Sequence, residues 1–179
     1  MPPCAIRPAG VDDIPALEAL IARSAAGLAE GFYTLEQTVA LAQEVFGVDS
    51  QLVTDGTYFV LEEGGIALAC GGWSRRSTRF GGDKMKSVPD RLLDPCSEPA
   101  RIRAFFVEPA CARRGYGSAL MAHCAAAAAA AGFTQLELVA TMPGVPLYLA
   151  RGFTVVESFD LALAGGTVSA PMALMQRPV

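Results

Sequence analysis

Ile102-Arg103-Ala104-Phe105-Phe106-Val107-Glu108-Pro109-Ala110-Cys111-Ala112-Arg113-Arg114-Gly115-Tyr116-Gly117-Ser118-Ala119-Leu120 reads as a strand, a turn and the first residues of a helix. Ile102–Val107 is aromatic and β-branched, and Pro109 ends it. From Gly115 to Ala131 the chain is alanine-rich, the best helix former, and Gly132 closes it. A helix start leaves backbone N–H groups without intrahelical acceptors, at the positive end of the helix dipole. Gly115 and Gly117 let that backbone approach a bulky anion, and Arg113 and Arg114 add charge. A pyrophosphate fits such a place. A phosphate loop of the Walker type needs Gly-Lys-Ser/Thr, whereas Gly117 is followed by Ser118-Ala119. A dinucleotide fingerprint needs a third glycine where Leu120 stands and a first one against the strand, yet seven residues separate Val107 from Gly115.

Outward from this segment, the pattern predicts a strand at Ala5–Arg7 and a helix opened by Asp12-Asp13-Ile14-Pro15, with Ile14, Leu17, Leu20, Ile21, Ala25 and Leu28 on one face. Thr34-Leu35-Glu36-Gln37 is a capping box starting a second helix, whose inward face reads as Val39, Ala42, Val45 and Phe46. Strands follow at Thr57–Leu61 and Ile66–Trp73 around a glycine turn. Residues 74–99 lose all periodicity, and a loop of that length is expected to be functional or mobile. Leu136–Ala140 is a strand, Val145–Arg151 a short helix, and Phe153–Leu163 and Val168–Met175 are strands around Ala164-Gly165-Gly166. The order β-α-α-β-β-β-α-β-α-β-β predicts an α/β sandwich built on one mixed sheet.

The 179 residues suit one domain, and 52% apolar against 18% charged residues is ample for a core. No segment predicts a membrane span or a secretion signal, so a soluble cytoplasmic protein is expected. The single histidine, His123, excludes a multi-histidine metal site, and no metal is expected. The five cysteines are odd in number and never spaced Cys-x-x-Cys, which argues against a zinc knuckle, a redox pair or a disulfide framework. The net charge of −4 gives no footing for nucleic acid. Residues 1–63 carry two basic against ten acidic side chains. With no peptide-binding signature visible, that points to a small cationic amine as a partner.

Val107-x-Pro109 followed by Arg113-Arg114-Gly115-Tyr116-Gly117-Ser118 resembles the acetyl-coenzyme-A loop of the GNAT N-acetyltransferase superfamily. Pro146-Leu147-Tyr148-Leu149-Ala150-Arg151-Gly152-Phe153 is similar to that superfamily's second signature, a tyrosine four residues before Gly-Phe. The element order agrees, so the resemblance covers nearly the whole chain, 1–179. It implies a mostly antiparallel sheet of about seven strands whose central strands, Ile102–Val107 and Leu136–Ala140, splay apart. It implies acetyl-CoA as co-substrate, its pantetheine paired with backbone at Phe106 and Val107, and its pyrophosphate held by Ala112, Arg113, Arg114, Gly115, Tyr116, Gly117 and Ser118. It further implies direct attack by an amine in a ternary complex, with Tyr148 as the acid that protonates the leaving thiolate. A homodimer is frequent among similar proteins. A non-catalytic acyl-CoA-binding module of the same fold is the alternative.

This sequence departs from the family pattern at Ala112, where Gln or Arg is usual, at Thr141-Met142-Pro143-Gly144, where an asparagine is often found, and at Arg101, where some members carry a carboxylate base. Glu108, Glu137 or a backbone-held water is left to accept the amine proton. Phe32, Tyr33 and Trp73 are candidates to wall the acceptor, and the 74–99 loop to close over it, to form a solvated flap or to make a dimer contact.

Overall fold

The computed structural model describes residues 4–86 and 90–179. Its seven strands are β1 (Cys4–Pro8), β2 (Tyr58–Glu63), β3 (Ile66–Ser74), β4 (Ala100–Val107), β5 (Gln135–Thr141), β6 (Thr154–Leu163) and β7 (Val168–Pro178). They form one sheet in the order β1-β2-β3-β4-β5-β7-β6. Every neighbouring pair is antiparallel except β4–β5, which is parallel and pairs only Ala100 with Leu136 and Arg101 with Glu137. Beyond those residues the two strands diverge, as the family resemblance implies.

Helix α1 (Ile14–Leu28) buries Leu17, Leu20, Ile21, Ser24 and Ala25. Together with α2 (Leu35–Glu44) and α3 (Ser50–Thr54) it covers one face of the sheet, over Tyr58, Val60 and Cys70 on one side and Ala170 and Met172 on the other. Helices α4 (Tyr116–Ala130) and α5 (Val145–Ala150) cover the opposite face, where Leu120, Cys124 and Ala128 pack on Ala69, Ile102 and Leu138. Small side chains along α4 let it lie close to the strands.

Two local expectations need correction. In α2 the buried residues are Ala40 and Leu41, followed by Val45 just past its end, while Val39 is 44% exposed. The capping box forms as the sequence predicts, and Gln37 then also donates to the Ser169 carbonyl at 2.6 Å. At the other end Glu44 accepts from Ala164 N–H at 2.7 Å. These bonds to the β6–β7 hairpin turn the line Gln37-Leu41-Glu44-Val45 inward, one residue off the purely apolar stripe. The second omission is α3, only five residues long and capped by Asp49, whose side chain accepts from Gln51 N–H at 3.0 Å.

The 74–99 segment is neither a solvated flap nor unattached, outside residues 87–89, which lie outside the described residues. Leu93 N–H donates to Arg75 O and Gly82 N–H to Val45 O, at 2.8 and 3.0 Å. Phe80 and Met85 pack against the cluster that includes Leu41, Val45 and Met172. The segment therefore divides: Phe80 and Met85 lie on the α1–α3 face of the sheet, while Leu93 packs in the cluster under α4.

Candidate active site

Where β4 leaves β5, its own geometry changes. Ala104 and Phe105 together oppose the single residue Gly71, a β-bulge that bends the strand. Ala104 adopts a left-handed φ of 53°, and Tyr58 Oη donates to its carbonyl at 3.0 Å. The Phe105 ring fills the space that a side chain at Gly71 would need, since a Cβ there would lie 2.6 Å from it. The bulge aims the main chain of Phe105–Val107 into the gap between the strands.

That gap is a cleft of about 590 Å³. Its floor is Phe105, Phe106 and Val107. One wall is Ser24, Leu28, Phe32 and Tyr33 from α1 and the turn after it, and the other is Pro146, Leu147 and Tyr148 from α5. At one end the β4–α4 loop winds through two left-handed residues, Arg113 (φ 66°) and Gly115 (φ 90°). The first helical bond runs from Ala119 N–H to Gly115 O at 2.9 Å. The N–H groups of Tyr116, Gly117 and Ser118 precede it and have no acceptor in the helix. Ala112, Arg113, Gly115, Tyr116, Gly117 and Ser118 all line the cleft, whereas Arg114 is solvent-exposed beside it. Gly117 has a packing role as well: a Cβ there would sit 3.0 Å from Leu147 Cδ2, so its absence brings α4 and α5 together.

Tyr148 stands at the meeting point of this cleft and a second, smaller cavity on the α1–α3 face. Phe46, Phe105, Phe106 and Thr141 border both with it. Its ring is edge-on to Phe153 at 5.8 Å and rests on Gly144. Burial, with a smaller contribution from Cys124, pushes the phenol well above its ordinary value, so it stays neutral as a donor.

The other candidates separate. Phe32, half exposed, and Tyr33 line the cleft, and Tyr33 Oη also ties the wall together by donating to Pro171 O at 2.7 Å and accepting from Met142 N–H at 2.9 Å. Trp73 does not join them. Strand alternation turns it to the α4 face, where it is 3% exposed and edge-on to Phe133 at 6.0 Å. Glu108 pairs with Arg23 at 2.8 Å on the surface. Glu137 is enclosed by Arg101, Arg79 and Gln176. Among the described residues no carboxylate lines either cavity. Four of the ten acids in the N-terminal third are spent elsewhere: Asp13 and Glu62 on Arg7, Asp55 on Arg76, and Asp49 on Arg103 and Lys86.

Ser24 escapes the sequence reading, although it interrupts the stripe Leu17-Leu20-Ile21-Ala25-Leu28 at a position where an apolar residue would be expected. Its Oγ accepts from Val107 N–H at 3.3 Å, inside the cleft. A polar residue within an otherwise apolar helical stripe was the available signal.

The site thus offers unpaired N–H groups at one end, an apolar channel bordered by a free strand edge, and a neutral phenol where a second opening begins. A sequence model of the acetyltransferase (GNAT) domain matches residues 54–155, more than half of the chain. The chain belongs to the GNAT acetyltransferase family. A GCN5-related N-acetyltransferase from Rhodopseudomonas palustris has a similar fold, with a TM-score of 0.71 at 17% identity over 100% of this chain and 98% of that one. PaiA N-acetyltransferase from Thermoplasma acidophilum, solved in complex with coenzyme A, is similar with a TM-score of 0.66 at 11% identity, over 99% of each chain. A phosphinothricin acetyltransferase from Sinorhizobium meliloti, in complex with AcCoA, has a TM-score of 0.61 at 19% identity over 98% of this chain and 88% of that one. At these identities the likeness is one of fold. No curated protein matches the sequence. No helix among the described residues is long and apolar enough to cross a membrane.

Proposed function

We propose that this protein is a cytoplasmic N-acyltransferase that moves an acetyl group from acetyl-CoA to a small amine by direct attack within a ternary complex. The observation that carries the reading is the position of Tyr148, buried at the one point where the two cavities join. Bound acetyl-CoA supplies a thioester whose acetyl carbon can accept an amine nitrogen as its C–S bond breaks. The free N–H groups of Tyr116, Gly117 and Ser118, beside Arg113, suit a pyrophosphate. Phe106 and Val107 present the main-chain edge that would pair with the pantetheine amides, and Ser24 Oγ now holds the Val107 N–H that such an amide carbonyl would take.

Tyr148 meets the leaving sulfur as a hydrogen-bond donor and passes it a proton. The amine gives its own proton to water, since Glu108 and Glu137 are held in ion pairs and neither lines a cavity. Holding both reactants in one channel is itself worth up to ~7–11 kcal/mol of barrier in favourable cases.

Calorimetry with CoA and an assay of free thiol test the reading. Tyr148→Phe is expected to lower turnover by about 10²–10⁴-fold while CoA affinity stays within a few-fold. Failure to bind CoA at millimolar concentration overturns it. Unchanged turnover in Tyr148→Phe removes the acid role, and CoA binding without thiol release from any amine favours a non-catalytic acyl-CoA module.

A further inference from the structure

The second cavity, about 70 Å³, opens behind Tyr148 under the 79–82 stretch. Most of its wall is apolar, with Phe46, Phe80, Val139 and Met172 prominent. Among the described residues its only ionisable side chains besides Tyr148 are two arginines, Arg79 and Arg103.

Their surroundings leave positive charge over. Arg103 is 1% exposed; it donates to Asp49 Oδ2 and Thr78 O, at 2.8 and 2.9 Å, and to Gly81 O. Its Nε–H has no partner. Asp49 is itself shared with Lys86. Arg79, 56% exposed, reaches Glu137 Oε1 at 3.2 Å, the same oxygen that the enclosed Arg101 already holds, and Gln176 donates to the other oxygen at 2.6 Å. Arg79, Arg101, Arg103 and Lys86 thus face Asp49, Glu137 and Asp90, four cations against three carboxylates, and Arg79 is the one open to a newcomer. Desolvation lowers the Arg101 guanidinium from its ordinary value and Arg79 adds repulsion, while desolvation also lowers Arg103. An added anion relieves all three.

Resting on the acyl-transfer reading, we propose that the acceptor is a small amino acid, an amine that also carries a carboxylate, and that Arg79 is the residue that selects it. A guanidinium presents a planar fork matched to a carboxylate. A diamine or an aminoglycoside would bring a second cation against Arg79 and find no carboxylate in the lining. With the carboxylate at Arg79, the amine is left towards Tyr148. Its nitrogen bonds to the acetyl carbon and the C–S bond breaks. One proton leaves the amine for water, and the sulfur gains one through Tyr148. This departs from the expectation of a cationic acceptor drawn from the acidic N-terminal third, because four of those ten acids are held in ion pairs and none of the ten lines either cavity.

The test uses the full chain with acetyl-CoA, thiol release, and a panel of α-, β- and γ-amino acids. Each amino acid that reacts is compared with its own amide and its decarboxylated amine, and spermidine and cadaverine are run alongside. The free acid is expected to exceed both neutralised analogues by about tenfold or more in kcat/KM. Arg79→Ala should abolish that preference through KM rather than kcat, with CoA affinity unchanged, and Arg79→Lys should restore part of it. Amides or polyamines used as well as the acids overturn the proposal, and so does a failure of every amino acid to react. CoA calorimetry on the same protein separates the outcomes: no CoA binding sinks the acyl-transfer reading, while CoA binding with turnover of other amines alone sinks only the amino-acid assignment.

Discussion

Strand β4 has two equally deep faces built on opposite principles. Toward α4, Ala100 and Ile102 lie among Leu120, Cys124 and Leu138, all carbon and sulfur. Toward the 74–99 segment, Arg101 and Arg103 lie at 7% and 2% exposure among Glu137, Asp49 and backbone carbonyls. The first face stabilises by removing apolar surface from water. The second must offset the desolvation of every charge by pairing it, and is tolerated only while the partners remain. The apolar face can therefore lose a methyl group cheaply, and the ionic face cannot lose a partner. What the ionic face gains is a fixed positive field beside the second cavity.

The sharpest way to break this contrast is to remove one guanidinium. Arg103→Ala leaves Asp49 with Lys86 alone and should cost about 3–5 kcal/mol of stability in urea unfolding. Ile102→Val, one residue away on the other face, should cost only about 0.5–1.5 kcal/mol. Equal losses would mean that the ionic layer contributes nothing special. A second, functional comparison concerns the neutral side of the site. Gly144→Ala would place a Cβ 2.9 Å from Tyr148 Cε2 and tilt the ring, and a displacement of that size is expected to lower turnover about 10²-fold with CoA binding retained. Turnover within threefold of the parent would show that the ring has room to adjust.

The smallest effect is a pH dependence. Burial pushes the Cys70 thiol up to about 12 and raises Cys124 as well. The folded state then keeps protons that the unfolded chain gives up above about pH 8.5. Stability should fall as pH rises from there, by up to about 1.4 kcal/mol per pH unit for each thiol. Cys70→Ala should flatten the slope between pH 9 and 11 by about one proton, and an unchanged slope would remove Cys70 as its source.

The two faces also differ in how far the sequence reveals them. Alternation along Ile102–Val107 and the periodicity of α1 report apolar burial directly, so the strands and all helices but the short α3 were legible, while the splayed pair followed from the family resemblance. Gly115 was legible too, because a glycine at a helix start allows close backbone approach, whereas Tyr148 was legible only through the family signature around it. The ionic face was not legible. Arg103 and Asp49 are 54 residues apart, and no periodicity links a buried charge to its partner. Arg79 reads as one more cation in an irregular loop, and nothing in the acidic N-terminal third marks the four acids that are held by distant arginines and a lysine. Trp73 failed for the reverse reason, since an aromatic residue late in a strand carries no mark of which side it faces.

The parallel junction of β4 and β5 involves only two residue pairs, so the sheet is really two plates, β1–β4 and β5–β7, hinged at a narrow seam. An extended molecule lying in the gap lends each plate the amide partners that the chain does not supply. Occupancy and stiffness are therefore linked: the plates should exchange their edge hydrogens slowly when the gap is filled and quickly when it is empty.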